Sequence, residues 1–180
     1  MKMHAFLISL VSVVVVGCGG SSTPEATNAP TAKEQPAPKT NDEVGIDLSK
    51  IKAMEMLTKE EVVKLTGGAK LAQEPNDFSS ENHPSVRYLV EFAGGSVDSF
   101  QFGLSPANEL KMMLDLEKPD EKGEAVSGPW TEGWYGKNDL GEGNQLRVLQ
   151  GDKFALTVRC SADKKEAILA LGKELVNRVK

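Results

Sequence analysis

The sequence predicts an α+β fold: a single antiparallel sheet with about three helices packed mainly on one face, preceded by a signal peptide and a disordered linker. Three observations predict it. Alternating apolar segments occur near glycine-containing turns, as antiparallel hairpins require. Between them lie stretches with apolar residues at helical spacing, bounded by capping residues. The resulting order is helix, strands, helix, strands, helix, and short hairpins interspersed with helices imply one antiparallel sheet with helices laid against it.

The first element is a leader. Met1-Lys2-Met3-His4 carries one fixed positive charge, and the 12 residues from Ala5 to Val16 are apolar or small. As a helix they would rise about 18 Å, short of the ~30 Å hydrocarbon core. A basic start, an apolar run of this length and a small residue before a cleavage point describe a secretory signal peptide over residues 1–17.

The next four positions, Val15-Val16-Gly17-Cys18, match the pattern aliphatic, small or aliphatic, Gly/Ala/Ser, Cys. This stretch resembles the lipobox of bacterial lipoproteins, and the resemblance covers about the first 20 residues. It implies that Cys18 is the lipid attachment: its sulfur takes a diacylglycerol, cleavage falls before it, and in many bacteria the freed amine takes a third chain. Two or more acyl chains give stable anchoring where one gives only marginal binding. The partner so implied is the lipid bilayer. Gly19 rather than Asp follows the cysteine, which in a Gram-negative cell implies the outer membrane, and in a Gram-positive cell the outer face of the cytoplasmic membrane.

Residues 18–45 form the expected tether. From Gly19 to Gly45 the chain has no aromatic residue, and Val44 is its one sizeable aliphatic. Such a composition buries too little apolar surface to offset its ordering entropy. Pro24, Pro30, Pro36 and Pro38 stiffen it locally, and its coil dimension is roughly 30 Å.

Residues 46–180 are long enough for one domain with one core. A helix is expected from Lys59 to Thr66, with Thr58 as N-cap, Glu61 completing a capping box, a Leu57–Val62 staple, and Gly67-Gly68 as its stop. Ser85 to Phe92 alternates, placing Val86, Tyr88, Val90 and Phe92 on one face and Arg87, Leu89 and Glu91 on the other. Gly94-Gly95 turns the chain into a return strand, about Val97 to Leu104. Ser105 as N-cap and Pro106 at the first helical position then start a helix to about Leu116, expected to bury Leu110, Met113 and Leu114. Gln145–Gln150 and Lys153–Cys160 form the clearest hairpin, joined by Gly151-Asp152, with Phe154, Leu156, Val158 and Cys160 on one face. Asp163 and Glu166 give an acidic cap, and Ile168, Leu171, Leu175 and Val179 mark a terminal amphipathic helix.

The pieces from Leu57 to Gly67 and from Leu146 to Val179 loosely resemble small bacterial lipoproteins of unknown function that open their domain on a short "L-T-x-x-E" helix and close it on a hairpin plus helix. That resemblance implies fold and location, and no reaction.

The chain carries 21 Lys and Arg against 26 Asp and Glu, a net charge of −5, and loss of Lys2 with the leader makes it −6. This balance argues against nucleic acid as a partner. Catalytic signatures are lacking. His83 is the sole histidine beyond the leader and has no histidine or cysteine near it in sequence. Ser-x-x-Lys occurs at Ser49/Lys52 and Ser161/Lys164, without the companion motifs of the penicillin-binding enzymes. Asn138 to Asn144 groups oxygen ligands with glycines at a spacing that is not that of an EF-hand, and reads as a solvated turn. Cys160, in its alternating strand, is expected to be a core residue that a thiol reagent leaves unmodified. No metal site or cofactor is expected.

The remaining feature is Gly128-Pro129-Trp130-Thr131-Glu132-Gly133-Trp134-Tyr135-Gly136, which holds both tryptophans and one of the two tyrosines. Trp130, Trp134 and Tyr135 are the candidate binding residues, with Trp130 expected to be the most exposed. The same residues could instead close the core, with Trp134 and Tyr135 on a strand. The sequence therefore points to a membrane-anchored cell-envelope lipoprotein whose domain binds a partner, such as an envelope protein, without catalysis. The alternative is a small-ligand-binding or sensing lipoprotein with a groove near Trp130 to Tyr135. A carboxylate-pair hydrolase is the third reading.

Overall fold

The computed structural model describes residues 46–118, 120–138 and 141–179. The leader, Cys18 and the tether to residue 45 lie outside the described residues. In chain order the elements are a 3₁₀ turn (Leu48–Lys50), α1 (Ala53–Met56), α2 (Lys59–Thr66), β1 (Lys70–Leu71), β2 (Asn76–Asp77), β3 (Ser85–Glu91), β4 (Val97–Ser105), α3 (Ala107–Leu116), β5 (Glu124–Ala125), β6 (Glu132–Lys137), β7 (Asn144–Gln150), β8 (Phe154–Cys160) and α4 (Lys165–Arg178). The strands form one antiparallel sheet in the order β1-β3-β4-β8-β7-β6-β5, with β2 also paired to β3. The fold is α+β. Among the described residues no helix is long and apolar enough to cross a membrane.

The pleat sorts the core. On β3, β4, β7 and β8 the residues Val86, Tyr88, Phe100, Phe102, Leu146, Leu156 and Val158 are almost wholly buried on one face, together with Val62 of α2 and Ile168, Leu171 and Leu175 of α4. On the opposite face Leu149 and Ala155 join Ala107, Leu110 and Leu114 of α3 in a smaller cluster. Among the described residues α3 packs on the second face, against Leu149 of β7 and Ala155 of β8, with Trp134 of β6 at the margin of the cluster.

Helix α2 forms because its first turn is satisfied reciprocally. The Thr58 hydroxyl accepts from the Glu61 amide, the Glu61 carboxylate accepts from the Thr58 amide at 2.8 Å, and Gly67 closes the helix at φ 71°. Glu61 has a second task. Arg178, at the end of α4, donates to its carboxylate and to the Met56 carbonyl, which ties α4 to the start of α2. The Arg178 guanidinium first, and the Thr58 amide second, pull the Glu61 pKa down to about 2 from 4.5. A carboxylate whose pKa is lowered on folding stabilises the fold above its unfolded pKa, and that contribution is lost as pH falls through the folded value. Glu61→Gln should therefore unfold at a lower temperature than the wild type at pH ~7 and approach it as pH falls from about 4.5 to about 2. Thermal unfolding across that range checks this; a gap that stays constant refutes it.

Three local expectations are corrected. Ser105 stays in β4, paired with Ala155, so Pro106 becomes the N-cap of α3 and provides no side-chain bond. Met113 is 48% exposed because the buried stripe of α3 runs through Ala107, Leu110 and Leu114, and Met113 lies on its shoulder. Asp163 does not cap α4. Its carboxylate accepts the Tyr135 hydroxyl at 2.7 Å, and the N-cap falls on Lys164 with no side-chain bond.

Candidate functional site

Structure places the aromatic segment mainly in the core. Trp130, expected to be exposed, is 9% exposed and donates its indole N–H to the Val126 carbonyl at 2.9 Å. Tyr135, on β6, is buried with its hydroxyl on Asp163, and desolvation chiefly, with that bond, pushes its pKa well up. Trp134 points to the other side of β6 and packs, half-buried, against the α3 cluster. The three side chains thus divide between the two faces of the sheet because they alternate on one strand and its preceding loop. They do not form one surface.

The other singled-out residues are also accounted for by local contacts. Cys160 is buried, and desolvation raises its thiol to about 11, which leaves little thiolate at neutral pH. The Ser161 hydroxyl accepts from the Ser99 amide at 2.9 Å, while Lys164 lies over the Phe92 ring. Ser49 donates to Asp47. His83 Nε2 lies 2.8 Å from Glu109 Oε2. In the Asn138 to Asn144 loop, Asp139 and Leu140 lie outside the described residues.

A groove forms elsewhere, on the second face of the sheet beside α3. Because strands alternate, every residue opposite a core residue on β3, β4, β8 and β7 faces this side. The register aligns them in rows. One row reads Arg87, Gln101, Arg159, Gln145 across β3-β4-β8-β7, and the next reads Ser85, Gly103, Thr157, Arg147. The glutamines orient the guanidinium groups: Arg87 donates to Gln101 Oε1 at 3.2 Å and Arg159 to Gln145 Oε1 at 3.3 Å. Gln101 in turn donates to the Ser85 hydroxyl, itself bonded to the Phe102 carbonyl.

The wall of the groove is α3, with Glu109, Leu110 and Met113 facing inwards, and the volume is about 400 Å³, within the range of small-ligand sites. Gly103 keeps the floor open, since a Cβ there would stand 3.2 Å from the Ser85 hydroxyl oxygen. Polar contacts hold the wall in place. Glu109 meets His83, Lys111 meets Asp152 of the β7–β8 turn, and Glu117, just past the helix, takes two bonds from Arg147. Arg147 also donates to the Lys122 carbonyl at 2.9 Å.

Comparison of the chain with family models, with curated proteins and with solved structures returns no match. Among the described residues no group of three or more His, Cys, Asp or Glu side chains is placed to hold a metal ion. What the arrangement offers chemically is a preformed concave surface with oriented guanidinium, amide and hydroxyl groups on its floor and an apolar flank at Met113.

Proposed function

We propose that this chain is a lipid-anchored protein of the cell envelope, held in the bilayer through acylated Cys18, and that its domain is a non-catalytic binding module. The observation that supports binding most directly is the second-face groove, where a polar row is fixed by cross-strand hydrogen bonds before any partner arrives. Preorganised polar groups lower the ordering cost of association. The binding surface is then this groove rather than the segment from Trp130 to Tyr135.

The test is chemical crosslinking of the full-length protein in intact cells, with Cys18→Ser, Met113→Glu and Leu116→Glu beside the wild type. Met113 lines the groove, whereas Leu116 is 84% exposed on the same helix and does not line it. A defined crosslinked species should be lost in Cys18→Ser and Met113→Glu and kept in Leu116→Glu. Capture that is indifferent to Met113→Glu refutes the groove as the binding surface.

The second reading, a small-ligand-binding or sensing lipoprotein, moves to the same groove because its volume suits a small molecule. Ligand-dependent stabilisation of the purified protein would favour it over a protein partner.

A further inference from the structure

We infer that a carboxylate binds over Gln101 at the β3 edge of the groove, between Arg159, which lines it, and Arg87, which stands just beyond its lining, on a ligand whose adjoining part is apolar; the inference rests on the groove being the binding surface. Arg87 is the residue that points to it. Its guanidinium carbon lies 4.7 Å from the centre of the Phe78 ring, and Gln101 Oε1 fixes it from the side. The Ser85 hydroxyl holds Gln101 in turn. The guanidinium is thus oriented by two neighbours, Phe78 and Gln101, neither of which is an anion.

Two other arginines are matched to acid. Arg147 has Glu117, and Arg178 has Glu61 and Glu174. Half-buried Arg87 pairs with no carboxylate among the described residues, and its Nε is a buried donor without an acceptor. A half-buried cation without a counter-charge gains from an anion brought to it, and charge-assisted bonds to such an anion are stronger than neutral ones. Guanidinium and carboxylate are both planar and form charge-assisted bonds in one plane.

Position and charge narrow the ligand further. Gln101 lies between Arg87 and Arg159 in the register, each about one strand spacing (~4.8 Å) away. A group bound over Gln101 therefore has a guanidinium on either side. The guanidinium of Arg87 balances a single negative charge, which a carboxylate carries, whereas a phosphate monoester carries about −1.5 to −2. Apolar surface stands near the row at half-exposed Phe78, over Arg87, and at Met113 on the α3 wall. A carboxylate joined to an aliphatic or aromatic part satisfies both.

Two sources supply that chemistry, a free carboxylic acid and an acidic side chain within a polypeptide. Titration calorimetry on the full-length protein in non-ionic detergent separates them, with hexanoate as the first probe, acetyl-Leu-Glu-Leu-amide as the second and inorganic phosphate as the third. Hexanoate or the peptide should bind, and Arg87→Gln should weaken that binding by about tenfold or more without lowering the melting temperature, since it removes an uncompensated charge. Binding of hexanoate alone identifies a free acid, and binding of the peptide alone a polypeptide. The inference is overturned if neither carboxylate probe binds, if phosphate alone binds, if Arg87→Gln binds as well as wild type, or if it unfolds many degrees earlier. Absence of carboxylate binding beside a crosslink lost in Met113→Glu would remove the carboxylate and leave the groove. A crosslink indifferent to Met113→Glu would instead remove the groove reading itself.

Discussion

Trp130→Ala is expected to destabilise the domain by about 3–5 kcal/mol, a fall in melting temperature on the order of 10–20 °C for a domain of this size. The indole is 9% exposed and sits among glycines placed to admit it. A Cβ on Gly128 would come within 2.3 Å of the ring, and one on Gly133 within 2.4 Å of the indole nitrogen. Gly172 of α4 lets Leu146 and the same ring approach the helix, with a Cβ there 2.4 Å from Leu146 Cδ2. Truncation would open a cavity that these neighbours have no side chains to fill, and would leave the Val126 carbonyl without its donor. Trp130→Phe should recover part of the loss, since the ring returns and the N–H does not. Thermal unfolding followed by circular dichroism decides the matter. A shift of only a few degrees for the alanine variant would mean that Trp130 is not a core residue.

The second large effect is expected at the pair that closes the wall of the groove. Arg147 and Glu117 have side-chain exposures of 5% and 20%. Removing one member strands the other charge in a poorly solvated place, so Arg147→Met should cost about 3–5 kcal/mol. Removing both should cost much less, because two desolvation penalties vanish with one attraction. The double variant Arg147→Met with Glu117→Leu should therefore be more stable than Arg147→Met alone. Denaturant unfolding of the four proteins in the cycle measures the coupling. A single-variant loss below about 1 kcal/mol, typical of a solvated pair, would refute the buried-pair account. Because Glu117 follows α3 directly, the single variant should also loosen that helix, which amide exchange within Ala107–Leu116 would register.

Local chemistry explains which parts of this fold were legible in the sequence. The limits of α2 follow from Thr58, Glu61 and Gly67, each with one partner a few residues away. The β3–β4 hairpin follows from Gly94 and Gly95, which adopt φ of 104° and 85°, and β8 follows from the alternation of Phe154, Leu156, Val158 and Cys160. The two-residue strands β1, β2 and β5 are too short to show a period. Asp163 illustrates a different limit: a residue with good capping chemistry was taken by a stronger, distant partner, Tyr135.

The groove was illegible for a further reason. Arg87, Gln101, Gln145 and Arg159 each read as the solvent side of an alternating strand. Their alignment depends on β4 pairing with β8, and no feature near any one of them reports it. Trp130 shows the converse, since glycines around an aromatic residue can present it or make room for it, and here they make room.

The pairing of β4 with β8 also sets the order in which the molecule can come into being. These two strands stand in the middle of the sheet, with Phe100 opposite Cys160 and Leu104 opposite Leu156. A chain made from its amino terminus can build the β3–β4 hairpin early, but that hairpin has no neighbour to join until the carboxyl-terminal residues arrive. Helix α4, which covers the main core, is later still. Any shortened product lacking the last thirty or so residues would be missing the centre of its sheet rather than an edge. The sheet accordingly cannot close at its centre until β8 has been made and meets β4.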